Sequence, residues 1–169
     1  MTPTPTTSRS DSIAACIPDA GDARVQSLLA ANINPHTGLA TDYLNHFNEA
    51  IMLLEMIPDM PECVEDFLNW QPRTYREHFE ASNLKAQGLI IQAYEEAETA
   101  LRIEFDRVVD AMTEILIAVS AAMRETTRDK TRAILAEQTT GWIKPLLSLA
   151  GGLIHGSPDQ ADVDRIMEK

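Results

Sequence analysis

The chain has 169 residues, 44% of them hydrophobic, with 26 acidic against 14 basic side chains and a formal net charge of -12. Such a length buries one substantial core and is short for two. The acidic balance, with no dense Lys/Arg cluster, excludes nucleic acid as a partner and argues against adsorption to an anionic membrane. No apolar run approaches the roughly 20 residues that cross a bilayer, so no transmembrane segment is expected. Cys16 and Cys63 are the only cysteines and show no CxxC spacing, which fits a reducing cytoplasm. The opening MTPTPTTSRSDSIAAC lacks the apolar run of a secretory signal, and IAAC would need that same run before it to be a lipoprotein cleavage site.

Residues 1–20 are rich in Thr, Ser and Pro and offer little apolar surface to offset the entropy of ordering, so they read as a mobile, disordered tail. GDARVQSLLAAN predicts a short helix with Val25, Leu28 and Leu29 inward, ended by the turn residues Asn34 to Gly38. From Thr41, the helical spacing of Tyr43, Phe47, Ala50, Leu54 and Ile57 predicts a helix that Pro58 stops. Its second half, AIMLLEMI, is apolar nearly all round, which suggests burial on most sides. Asp59 and Glu62 have capping-box spacing before a helix reaching about Trp70, and Thr74 and Glu77 have it again.

The longest periodicity follows, from Tyr75 through Phe79, Ile90, Phe105, Met112 and Val119 to Ala122. It describes one rod or two helices, and typical helix lengths favour two, broken near Glu98 and Thr99 and folded back on each other. After RETTRD, a helix is expected over 130–139, then a separate short one in GWIKPLLSLAGG. There Pro145 would occupy the first turn and Gly151 and Gly152 the end. Ser157 and Pro158 would start a short terminal helix. No stretch alternates with period two. The expected fold is all-α, an antiparallel bundle of six or seven helices forming a single domain over 21–169.

Asp42, His46 and Glu49 fall within an arc of about 60° on one helix, and Leu53 continues the same arc into the core stripe. Carboxylate and imidazole groups at that spacing suit a transition-metal or small-ligand site in a bundle interior, with facing ligands from His78, Glu77, Glu80 or Glu55. The di-metal bundles carry Glu-x-x-His on two helices, whereas this chain has the reverse order, His46-x-x-Glu49, once. The competing reading is structural: a polar network joining this helix to the 74–82 segment, with Asp42 at a helix start and His46 hydrogen-bonded.

Other catalytic templates fail. The glycines form no phosphate loop, the serines have no GxSxG context, and Cys63 sits among Asp59, Glu62, Glu65 and Asp66, which oppose a thiolate. The expected function is therefore a non-enzymatic protein-interaction or regulatory module, with metal or small-ligand binding near Asp42, His46 and Glu49 as the alternative. Since Ile115, Leu116 and Ile117 cannot all face one core, Leu116 and Ile117, edged by Trp142 and Leu146, form the expected homodimer surface. The alternative for the Trp142 helix is that it caps the core.

Overall fold

The stripe Tyr43, Phe47, Ala50, Leu54 and Ile57 is buried along its whole length in the computed structural model, which describes residues 20–156. The elements are α1 (Ala20–Ala30), α2 (Leu44–Met56), α3 (Cys63–Asn69), α4 (Tyr75–Ala81), α5 (Gln87–Glu96), α6 (Thr99–Arg124) and α7 (Asp129–His155), with a 3-10 turn over Thr41–Tyr43. The fold is all-α, as expected, with seven helices and no strand among the described residues. The expected tail lies outside those residues except for Ala20, which opens α1, and the terminal helix after Ser157 lies outside them entirely.

α6 and α7 are an antiparallel pair. Near their connection Arg132 Nε donates to the Met123 carbonyl at 3.1 Å, and at the far end Leu101 and Leu153 line one cleft. α6 buries Phe105, Val108, Met112, Leu116, Val119 and Met123, which step by threes and fours down one face. α2 runs along α7 in the opposite direction. Leu44 packs where a Cβ on Gly151 would lie, at 3.8 Å, and Glu55 pairs with Lys144 toward the other end. α3 meets α6 where Arg124 Nη2 donates to the Leu68 carbonyl at 2.9 Å.

The first described helix is tied to the bundle by the ion pair Arg24–Glu96. Only Leu28 turns inward; Val25 and Leu29, expected beside it, are exposed, because α1 rests on the bundle by a single line of contact. Between α1 and the 3-10 turn, Ile33 and Ala40 form an antiparallel bridge around the turn 34–39. Thr37 Oγ1 donates to the Ile154 carbonyl at 2.7 Å and accepts from the Leu39 N–H at 3.3 Å, which clasps the turn to the end of α7. Gly38 is required there: its φ is +74°, and a Cβ would lie 2.8 Å from the Ala93 carbonyl oxygen.

Several expectations are corrected. α2 is not covered all round, since Met52 is exposed and Leu53 and Met56 are half-buried. The Asp59–Glu62 box does not form; α3 begins three residues later than that box implies, at Cys63, with Glu62 in its capping position and already helical in φ and ψ. The Thr74–Glu77 box does form, Thr74 Oγ1 accepting from the Glu77 N–H at 3.2 Å and Glu77 Oε2 from the Thr74 N–H at 3.0 Å. The 75–122 register covers three helices. Glu98 breaks it as expected, and Ser82 breaks it too, leaving the helical region (ψ 152°) while its hydroxyl donates back to the Phe79 carbonyl at 2.7 Å.

α7 overturns the expected pair of helices, for it runs unbroken from Asp129 through Pro145. Proline removes the hydrogen bond to the carbonyl four residues back, here Gly141, and both residues are on the exposed side of the helix. Gly151 and Gly152 are inside the helix. Its end is Gly156, in the left-handed region at φ 84°, whose N–H reaches the carbonyls of Gly152 and Leu153.

Candidate functional site

His46 and His78 are brought together, with ring centroids 5.9 Å apart, and Asp42 closes on His78 with Oδ2 3.4 Å from Nε2. Glu49, on the same arc by spacing, is exposed and outside this group. Among the described residues no three His, Cys, Asp or Glu side chains converge as a metal-ligand set.

The surroundings of His46 explain its placement. It is 6% exposed, its Nε2 accepts from the Arg73 N–H at 3.1 Å, and its ring stacks on Trp70 at a centroid distance of 4.5 Å. Trp70 Nε1 in turn donates to the His46 carbonyl at 3.2 Å. With Nε2 an acceptor, the neutral ring carries its proton on Nδ1. Burial, then the neighbouring His78 and Arg73, lower its pKa to about 4, with the Gln71 backbone acting in the opposite sense. Tyr43 completes the junction by donating from its hydroxyl to the Arg73 carbonyl at 2.6 Å. These bonds join α2 to the segment that leads from α3 into α4. His78 Nδ1 is the one buried side-chain polar atom without a partner among the described residues.

Behind Tyr43 opens a cleft of about 400 Å³ that the sequence did not reveal. Its floor is aromatic: Tyr43 and Tyr75 meet at 5.2 Å, and Tyr75 and Tyr94 stack at 4.5 Å with planes 19° apart. Its walls are the 72–77 segment, which brings Pro72, Arg73 and Glu77, and the α6 face bearing Asp106, Val109, Asp110 and Thr113. The Tyr94 hydroxyl donates to the Asp106 carboxylate, 2.6 Å from Oδ1 and 2.7 Å from Oδ2. Burial raises the Asp106 pKa and Asp110 adds to this, while Tyr94 and Arg102 oppose it. Burial also raises the pKa of each of the three tyrosines, which keeps their hydroxyls protonated. The one sequence signal was the spacing of Asp106 and Asp110 by one helical turn, which without Tyr94 and the 72–77 segment reads as an ordinary solvated face.

The expected homodimer residues are divided. Leu116 is buried in the bundle core and is no part of an outer surface. Ile117, one residue on, is exposed beside Phe67 and Trp70 in a cleft of about 280 Å³. Leu146 is half-buried. Trp142 is 55% exposed, and on the same helix Ile134 and Leu149 are 46% and 47% exposed. Ile134, Gln138, Trp142, Pro145 and Leu149 fall within an arc of about 80° and extend about 22 Å along α7, with no charged residue among them.

No family model, curated protein or solved structure matches this chain.

Proposed function

We propose that this protein is a non-enzymatic helical interaction module that acts as a homodimer through the outer face of α7. The observation that carries this reading is the internal symmetry of the uncharged stripe. A two-fold axis lying beside α7, perpendicular to it at the level between Gly141 and Trp142, would pair Ile134 with Leu149 and Gln138 with Pro145 of the second copy by position along the helix. Two copies meeting antiparallel about that axis would set apolar against apolar at both ends. At the centre, the indole of each copy would lie over Gly141 of the other, where open space would receive it. A two-fold interface needs only such a self-complementary patch. With a net charge of -12 on each chain, an uncharged stripe is also where like-charged copies approach with least repulsion. Exposed Trp with aliphatic neighbours is the composition found at interface centres.

The alternative, a metal or small ligand held by Asp42, His46, Glu49 and His78, has less behind it. Glu49 is exposed, and His46 Nε2 is occupied by the Arg73 N–H.

Sedimentation at micromolar concentration tests the dimer. The expected mass is twice the 18.7 kDa of the chain, returning to a single chain in Trp142→Glu with helical circular dichroism unchanged. A wild-type mass of one chain, independent of concentration, overturns the reading.

A further inference from the structure

We propose that the link between α3 and α4, residues 71–74, is a proton-operated strap: a proton added at Nε2 of His46 detaches it from α2 at Arg73, pivoting about Trp70 and Gln71, and joins the two clefts that it separates. The strap lies between open spaces, since Pro72 lines both the cleft of about 400 Å³ behind Tyr43 and the cleft of about 280 Å³ beside Ile117. It buries little of itself: Gln71, Arg73 and Thr74 are exposed and Pro72 is half-buried. A segment with so few buried contacts opens locally with ease. Its middle is tied to the body at Arg73, whose N–H donates to His46 Nε2 and whose carbonyl accepts from the Tyr43 hydroxyl. Pro72 has no N–H to add.

Protonation turns the first of those ties into a conflict. Nε2 accepts only while the ring is neutral, and an imidazolium would set donor against donor at 3.1 Å in a buried site, where an unmet N–H is costly. The other contacts of the ring tolerate the proton: the Trp70 face attracts a cation, and the Gln71 backbone favours the charged form. The proton therefore acts on Arg73 and leaves Trp70 and Gln71 in place as the pivot. The titratable and charged groups around His46 are His78 from α4, with ring centroids 5.9 Å apart, Arg73 from the strap and Tyr43 from the 3-10 turn. Asp42 closes on His78, Asp106 and Asp110 of α6 lie across the cleft behind Tyr43, and Glu65 and Asp66 of α3 are exposed. With the strap closed the ring titrates at about 4, and with Arg73 withdrawn it returns toward 6.5, so opening becomes easier as pH falls between those values.

The test is amide hydrogen exchange of the full chain, read by NMR at pH 7 and pH 5 and corrected for the intrinsic rate at each. The protection of the Arg73 amide should fall roughly tenfold or more at pH 5. Its exchange there should be nearly independent of low urea, while that of Met112, buried in α6, follows urea as global unfolding does. In His46→Gln, whose carboxamide oxygen can accept from the Arg73 N–H at either pH, the fall should vanish. If that variant unfolds, His78→Gln serves instead: without the neighbouring imidazole the fall should be smaller than in the native chain. Protection at Arg73 unchanged between the two pH values, exchange there with the urea dependence of Met112, or a fall that persists in His46→Gln or is undiminished in His78→Gln would each overturn the proposal. So would exchange of the Trp70 indole N–H in step with that of the Arg73 amide.

Discussion

The imidazole of His46 lies nearly flat on the indole of Trp70, their planes 24° apart, and the indole N–H bonds back to the carbonyl of the same histidine. The two residues are thereby tied twice, once through their rings and once through the backbone. The contact needs no charge on His46, and its bond from the Arg73 N–H requires Nε2 to be unprotonated.

A pH dependence follows with a definite sign. The pKa of His46 is lowered from 6.5 to about 4 in the folded chain, so between those values the unfolded state binds a proton that the folded state refuses. Stability therefore rises with pH across that window, and is lost as pH falls from 6.5 toward 4, by up to roughly 3 kcal/mol for this group. Urea unfolding at pH 7 and pH 5 should show a smaller drop for His46→Gln than for the native chain. An NMR titration that placed the His46 midpoint at its ordinary value would sink this account.

Two glycines should respond in opposite directions to alanine. Gly38→Ala forces a side chain into the left-handed region and against the Ala93 carbonyl, and is expected to cost more than about 1 kcal/mol. Gly88, inside α5, has open space where a Cβ would project, so Gly88→Ala should stabilise by about 0.5–1 kcal/mol. Denaturation midpoints moving the same way in both variants would contradict the backbone argument.

Cys63 should be inert in the folded chain. It is buried at the start of α3, and burial, then Glu62 and Asp66, raise the pKa of its thiol. In Cys16→Ser, where it is the sole cysteine, reaction with a maleimide should be slow in native buffer and accelerate with urea in step with unfolding. Labelling as rapid as that of a free thiol without denaturant would refute this.

What the sequence disclosed, and what it hid, follow from the range of the forces involved. The Tyr43 to Ile57 stripe and the Thr74–Glu77 box are local patterns in which each residue's role is set within a turn or two of its own helix. Pro145 misled because the cost of a proline inside a helix, a lost hydrogen bond and a crowded carbonyl four residues back, is local, whereas the continuity of α7 is set by its packing along the bundle, and both Pro145 and Gly141 lie on its exposed side. Leu116 and Ile117 show the same limit: the spacing established that they could not both be inward, but packing against α7 and α3 decided which one was. The polar stripe brought Asp42, His46 and His78 together and left Glu49 out, since only the tertiary position of the 70–78 segment determines which part of the arc is covered. The tyrosine and carboxylate cleft was hidden for the same reason, its walls coming from segments far apart in the chain.

The clasp between Thr37 and Ile154 joins positions 117 residues apart. Closing so long a span carries an entropic cost that the bond recovers only once the intervening helices are in place. α6 and α7, linked by the short 125–128 connection, face no such cost and can pair early. The order of assembly is therefore expected to run from the hairpin outward, with the clasp bearing on how long the finished molecule lasts more than on how quickly it forms. Cutting it should shorten the native lifetime and leave the refolding rate nearly untouched.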